Sequence, residues 1–77
     1  MEVLPNELRQ LVMEITFLPE DFDDKADLYS TLGVPSLKAL EILMALEERY
    51  GISIPDEEFI QAVSLEHLIA LIRKLKK

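Results

Sequence analysis

Laid on a helix that turns about 100° per residue, the run from Leu37 to Tyr50, LKALEILMALEERY, places Ala39, Ile42, Leu43, Leu46 and Tyr50 on one side. That is the strongest constraint on the fold. One face of this helix must be buried, and other amphipathic segments must supply the cover. Gly51 ends the run, because glycine tolerates the left-handed conformation just past a helix end. The same run leaves Leu37, Leu40 and Met44 largely away from the core face, with Glu41, Glu47 and Glu48 among them and Lys38 and Arg49 together on one flank. A surface helix needs one apolar stripe. A second, framed by carboxylates, marks a surface for a partner, unless another segment such as the long loop covers Leu37 or Leu40.

Three further segments read as helices. PNELRQLVMEIT carries Leu8, Leu11, Val12 and Ile15 at helical spacing, and Pro5 suits a first turn. ISIPDEEFIQAV contains a short helix with Asp56 as a plausible cap and Glu57 and Glu58 near its positive end. SLEHLIALIRKLKK begins at a capping Ser64 and turns Leu65, Leu68, Ile69, Ile72 and Leu75 inward. Arg73, Lys74, Lys76 and Lys77 complement the negative end of that last helix and need no functional explanation. Between the first two helices lies FLPEDFDDKADLYSTLGVP, with Phe22, Leu28 and Leu32 expected to pin it to the core and ADLYSTL expected to form a helical turn. No strand signal stands out. The fold class is all-α: a small four-helix bundle with three longer helices, a short third helix and a long loop between helices one and two.

The chain has 77 residues, read as one domain over 1–77, and 49% of them are hydrophobic, enough for one core. Chains of this size hide about 60% of the surface they expose when unfolded, so stability is modest. The absence of cysteine excludes disulfides and thiolate metal sites. No apolar run approaches the ~20 residues that span a bilayer, and MEVLPNELRQ lacks the order of a signal peptide. A cytoplasmic monomer is expected. Fifteen acids against eight bases give a net charge of −7, which repels nucleic acid and speeds encounter with basic protein surfaces.

Ser36 stands where a glycine-proline turn, LGVPS, passes into the second helix. It is either a helix cap, a hydroxyl displayed for chemistry by another protein, or both. It starts the outward stripe at the edge of the core face, so a group attached there runs along the surface or slips between helices two and three. Ser36 is not a convincing nucleophile. That role requires an adjacent base, and the single histidine, His67, lies early in the fourth helix with nothing to bring it near. GVPS is not the G-x-S-x-G turn of hydrolases. An EF-hand reading from Asp21 fails, since Lys25, Ala26 and Leu32 occupy its fifth, sixth and twelfth positions. No catalytic or metal-ligating set emerges.

The stretch DLYSTLGVPSLKALEILMALEERYGISIPDEE resembles the acyl carrier proteins. Their pattern is a leucine-glycine turn, Asp-Ser-Leu, a helix ending in an acidic run, and an Ile-Pro-Asp-Glu segment. The matches are Leu32-Gly33, Ser36-Leu37, Glu41, MALEERYG and IPDEE, and the likeness extends loosely over the whole chain. The resemblance implies that a phosphopantetheinyl transferase attaches 4′-phosphopantetheine from coenzyme A covalently to Ser36. It implies a carrier of acyl thioesters for fatty-acid, lipid or polyketide assembly rather than an enzyme. Acyl-processing enzymes with basic surfaces are then expected to grip Leu37, Leu40, Glu41, Met44, Glu47 and Glu48. In such families the acyl chain can also shelter between the helices.

The chain departs from the pattern at Pro35, which replaces the usual aspartate, at Lys38, where acid is common, and at Phe59, bulky in the short third helix. Pro35 and Lys38 imply either a specialised carrier with its own transferase or partners, or modification that is slow or lost, and Phe59 is placed to fill or reshape an acyl pocket. Two alternatives stay open: a peptidyl or aminoacyl carrier, and an unmodified interaction protein that docks through the second helix.

Overall fold

The computed structural model describes residues 3–76, so Lys77 of the basic tail lies outside the described residues. Four helices follow in order: α1 (Pro5–Thr16), α2 (Ser36–Tyr50), α3 (Asp56–Gln61) and α4 (Leu65–Leu75). No strand occurs among the described residues, and the all-α class with a short third helix is the one expected.

The apolar stripes set the packing. Leu8 and Val12 of α1, Ile42 and Leu46 of α2, and Leu68 and Ile72 of α4 are wholly removed from solvent. Leu11, Ile15, Ala39, Leu43, Ile69 and Leu75 pack around them at partial burial. Each fully buried side chain of this kind stabilises the fold by about 1.5–3 kcal/mol relative to exposure. α1 packs on both α2 and α4, whereas α3 packs on α4. That placement of α3 buries Leu71 as well, making the inward face of α4 wider than its sequence stripe.

Two helix starts use proline rather than the expected side chain. Asp56 is not the cap of α3. Pro55 holds that position with extended geometry (φ −61, ψ 134), and its carbonyl accepts the N–H groups of Glu58 and Phe59 at 3.1 and 3.0 Å. The ring fixes φ near the needed value and so pre-empts the aspartate. Asp56 becomes the first helical residue, where its charge still favours the positive end. At α4 the expectation holds: the Ser64 hydroxyl accepts the His67 N–H at 3.2 Å.

The long connection, residues 17–35, is folded in. Phe22, Leu28 and Val34 are at most 5% exposed, and Leu32 packs partly against the same core. Backbone bonds stitch it across the molecule: Leu28 N–H to Val63 O at 2.8 Å, and Glu66 N–H to Asp24 O at 2.9 Å. Arg9 of α1 donates to the carbonyls of Glu20 and Phe22 and stacks over the Phe22 ring. These ties explain a radius of gyration of 11.3 Å, the roughly 11.5 Å of a compact chain this long. Phe17 ends α1 in the left-handed region (φ 61) with its ring in solvent, a conformation that disfavours non-glycine residues by about 1–2 kcal/mol.

The expected helical turn at ADLYSTL is a single turn and no helix. Asp27 organises it: its carbonyl accepts from Thr31 and Leu32, and its Oδ1 accepts the N–H groups of Tyr29 and Ser30 at 2.8 and 2.9 Å. Gly33 (φ 75) and Pro35 then stop propagation. The bonds from Ser30 and then Tyr29 hold the Asp27 carboxyl below its ordinary 3.8. A depressed folded value means that its contribution is present above the unfolded pKa and is lost as pH falls through the folded one. We expect Asp27→Asn, which keeps both acceptor bonds without the charge, to flatten the acid limb of stability. The difference in melting temperature between wild type and variant should shrink below about pH 4. Parallel curves down to about pH 2 would reject the assignment.

Candidate functional site

Ser36 is positioned by the chain immediately before it. The buried Val34 donates its N–H to the Leu28 carbonyl at 2.8 Å, which anchors the turn at Gly33. Pro35 is the N-cap residue (φ −61, ψ 141), and its carbonyl accepts the Lys38 N–H at 2.9 Å. Ser36 is therefore the first residue inside α2 and is exposed, and no side chain caps this helix. The capping role considered for Ser36 is corrected: proline takes the cap position and leaves the hydroxyl uncommitted to it. α2 is also the one described helix without an acid in its first turn; Glu7, Asp56 to Glu58 and Glu66 fill that place in the others. Its positive end is left uncompensated and favours an anion at Ser36.

Beside the hydroxyl opens a pocket of about 250 Å³, lined by Tyr29, Ser36, Ala39, Phe59 and Ile60. It lies in the seam between α2 and α3, with the loop residue Tyr29 closing one side. Burial raises the Tyr29 pKa above 10, and the Asp27 charge adds to this, so the phenol is neutral at physiological pH. Phe59 is the most buried of the five, and Ile60 stands in solvent at the rim.

Along α2 the second apolar stripe is open. Leu37, Leu40 and Met44 are 77%, 57% and 60% exposed, so the loop covers none of them. Glu48 is exposed beside them. Glu41 pairs with Lys38 at 3.0 Å, and the Lys38 ammonium also faces the Phe17 ring at 5.7 Å. Glu47 serves inside the fold. Its Oε2 accepts the Ile54 N–H at 2.8 Å, tying the end of α2 to the segment before α3. Lys76 donates to the Tyr50 carbonyl there, and Lys74 pairs with Glu58, so these two bases at the end of α4 make internal contacts. His67 lines a separate cleft with Glu58, Gln61, Ala62 and Leu71, away from the Ser36 pocket.

Residues 6–72 match the family described as the phosphopantetheine attachment site. The acyl carrier protein of Campylobacter hominis is 36% identical over 78 residues, spanning 100% of this chain and 98% of that relative. The chain belongs to the acyl carrier protein family. Other members are similarly near: that of Campylobacter curvus is 33% identical over 94% of this chain and 95% of its own. The acyl carrier protein of Wolinella succinogenes is 37% identical over 69% of this chain and 71% of its own. Phosphopantetheine is the prosthetic group of this family, and carrying acyl groups is its role. An exposed serine at an uncompensated helix start, with an apolar seam alongside, is a fitting place for a phosphodiester and a flexible arm.

The pocket residues Tyr29, Ala39 and Ile60 do not stand out as site residues in the sequence. Ala39 carries a signal: a small side chain one turn after Ser36 leaves room where a larger one would close the seam. Tyr29 carries none, because its place depends on how the loop folds back.

Proposed function

We propose that this protein carries acyl groups on a 4′-phosphopantetheine arm at Ser36 and presents them to enzymes of fatty-acid, lipid or polyketide assembly. The observation behind this reading is the exposed, uncapped Ser36 at the mouth of an apolar pocket. In the loading step the Ser36 hydroxyl attacks the pantetheine-side phosphorus of coenzyme A. A serine O–P bond forms, the pyrophosphate bridge breaks, adenosine 3′,5′-bisphosphate leaves, and the serine proton passes to a base on the transferase. The arm, once bound, supplies a thiol that holds acyl groups as thioesters. The residues of this chain do the rest. The first-turn N–H groups of α2 favour the phosphodiester charge, and Leu37, Leu40 and Met44 offer apolar contacts to visiting enzymes. Glu41 and Glu48 attract their basic surfaces. Glu47 supports that surface by fixing the end of α2.

Intact mass after incubation with coenzyme A and a broad-specificity transferase tests the reading. A phosphopantetheine-sized gain supports it. No gain, even with the transferase of the protein's own host, leaves an unmodified docking protein. The steering role is tested separately by Glu48→Lys. Association with the transferase should slow by roughly tenfold at low ionic strength and recover toward wild type as salt screens the field. Equal salt dependence for variant and parent would discard steering.

A further inference from the structure

The pocket beside Ser36 holds about 250 Å³, and Phe59, a member of the core cluster, is the most buried residue of its lining. We propose that Phe59 sets an upper limit on the cargo, making this a carrier for short and medium straight acyl chains; the inference rests on Ser36 being the tether.

Of the lining residues, Ser36 is the exposed point of entry, Ala39 contributes little bulk and Ile60 stands at the rim, 71% exposed. Phe59 differs from them. It is 8% exposed and belongs to the core cluster. Its backbone is held on both sides: its N–H donates to the Pro55 carbonyl and its carbonyl accepts the Ala62 N–H, each at 3.0 Å. Leu28, Ile42, Leu46 and Leu68 are all wholly buried in the same cluster. Interiors packed to that degree yield volume only by displacing whole side chains. A chain entering from Ser36 therefore meets a fixed ring, and going further requires moving it. For scale, an apolar cavity of about 150 Å³ accepts benzene, so this one has room for roughly ten carbons. It falls below the roughly 300–1,000 Å³ of sites for drug-sized ligands. Carbons beyond that limit stay in water, where they add nothing to stability or to protection of the thioester.

The test is a ladder of acyl-phosphopantetheine forms, from four to sixteen carbons, loaded from the acyl-coenzyme A series and verified by intact mass. Melting temperature and the rate of thioester cleavage by hydroxylamine are read for each. In the wild type, melting temperature should rise by roughly 6–13 °C for every two carbons sheltered, then level at about eight to ten carbons. Cleavage should slow over the same range. Phe59→Ala should move the break to twelve carbons or beyond. Phe59→Leu, which spares more of the core, should move it by about two and serves if the alanine variant does not fold. A break at the same length in wild type and variants, or a rise without a break to sixteen carbons, overturns the inference while leaving Ser36 as the tether. Absence of any mass gain overturns both.

Discussion

Ser36→Ala is expected to show no mass gain with coenzyme A and transferase under conditions that convert the wild type completely. Its helical circular dichroism and melting temperature should stay unchanged. The chemical loss is total because alanine has no oxygen to form the phosphodiester. The fold is spared because Ser36 is exposed and caps nothing; the cap position belongs to Pro35. Surface changes of this kind stay within about 0.5 kcal/mol. Ser64→Ala is the informative control. That hydroxyl does accept the His67 N–H, so its loss should cost about 1 kcal/mol and lower the melting temperature by about 4–8 °C, with loading retained. A mass gain in Ser36→Ala would put the attachment elsewhere and refute the assignment.

The largest effect on stability is expected from Leu28→Ala. Leu28 lies outside every helix, yet its side chain is wholly buried. Its N–H bonds the Val63 carbonyl, and its carbonyl accepts from Val34, two residues before Ser36. Truncation of a fully buried leucine costs about 2–5 kcal/mol. A chain of this length has roughly 4–12 kcal/mol in total, so the melting temperature should fall by at least about 8 °C. Loading should slow as well, because the turn that presents Ser36 hangs from the Leu28 carbonyl. Leu37→Ala provides the contrast: 77% exposed, it should leave stability unchanged and weaken enzyme docking. Thermal scans of the two variants decide the matter. A loss below about 1 kcal/mol for Leu28→Ala would mean that the loop is not part of the cooperative core.

The helices are legible because their signals are local. Pro5, Gly51 and Ser64 mark ends through their own backbone chemistry, and the stripe Ile42, Leu46, Tyr50 declares a buried face by spacing alone. Ser36 and the open row Leu37, Leu40, Met44 can be read from the same wheel. Asp56 misleads because two local rules compete, the capping preference of aspartate and the fixed φ of proline, and proline prevails at both Pro35 and Pro55. Glu47 reads as part of a surface, but its partner is the Ile54 N–H seven residues on, across a turn whose path spacing does not specify.

The sequence by itself determined which segments are helical, which faces are buried and which serine stands at a helix start, because periodicity and end chemistry act within a few residues. Tertiary structure decided where the long loop goes and what lies beside Ser36. Contacts such as Leu28 to Val63, Asp24 to Glu66 and Arg9 to Phe22 join residues far apart in the chain. Their geometry sets the seam that Tyr29, Ala39 and Phe59 enclose. A pocket is the space left between elements, and that space is fixed when the elements dock.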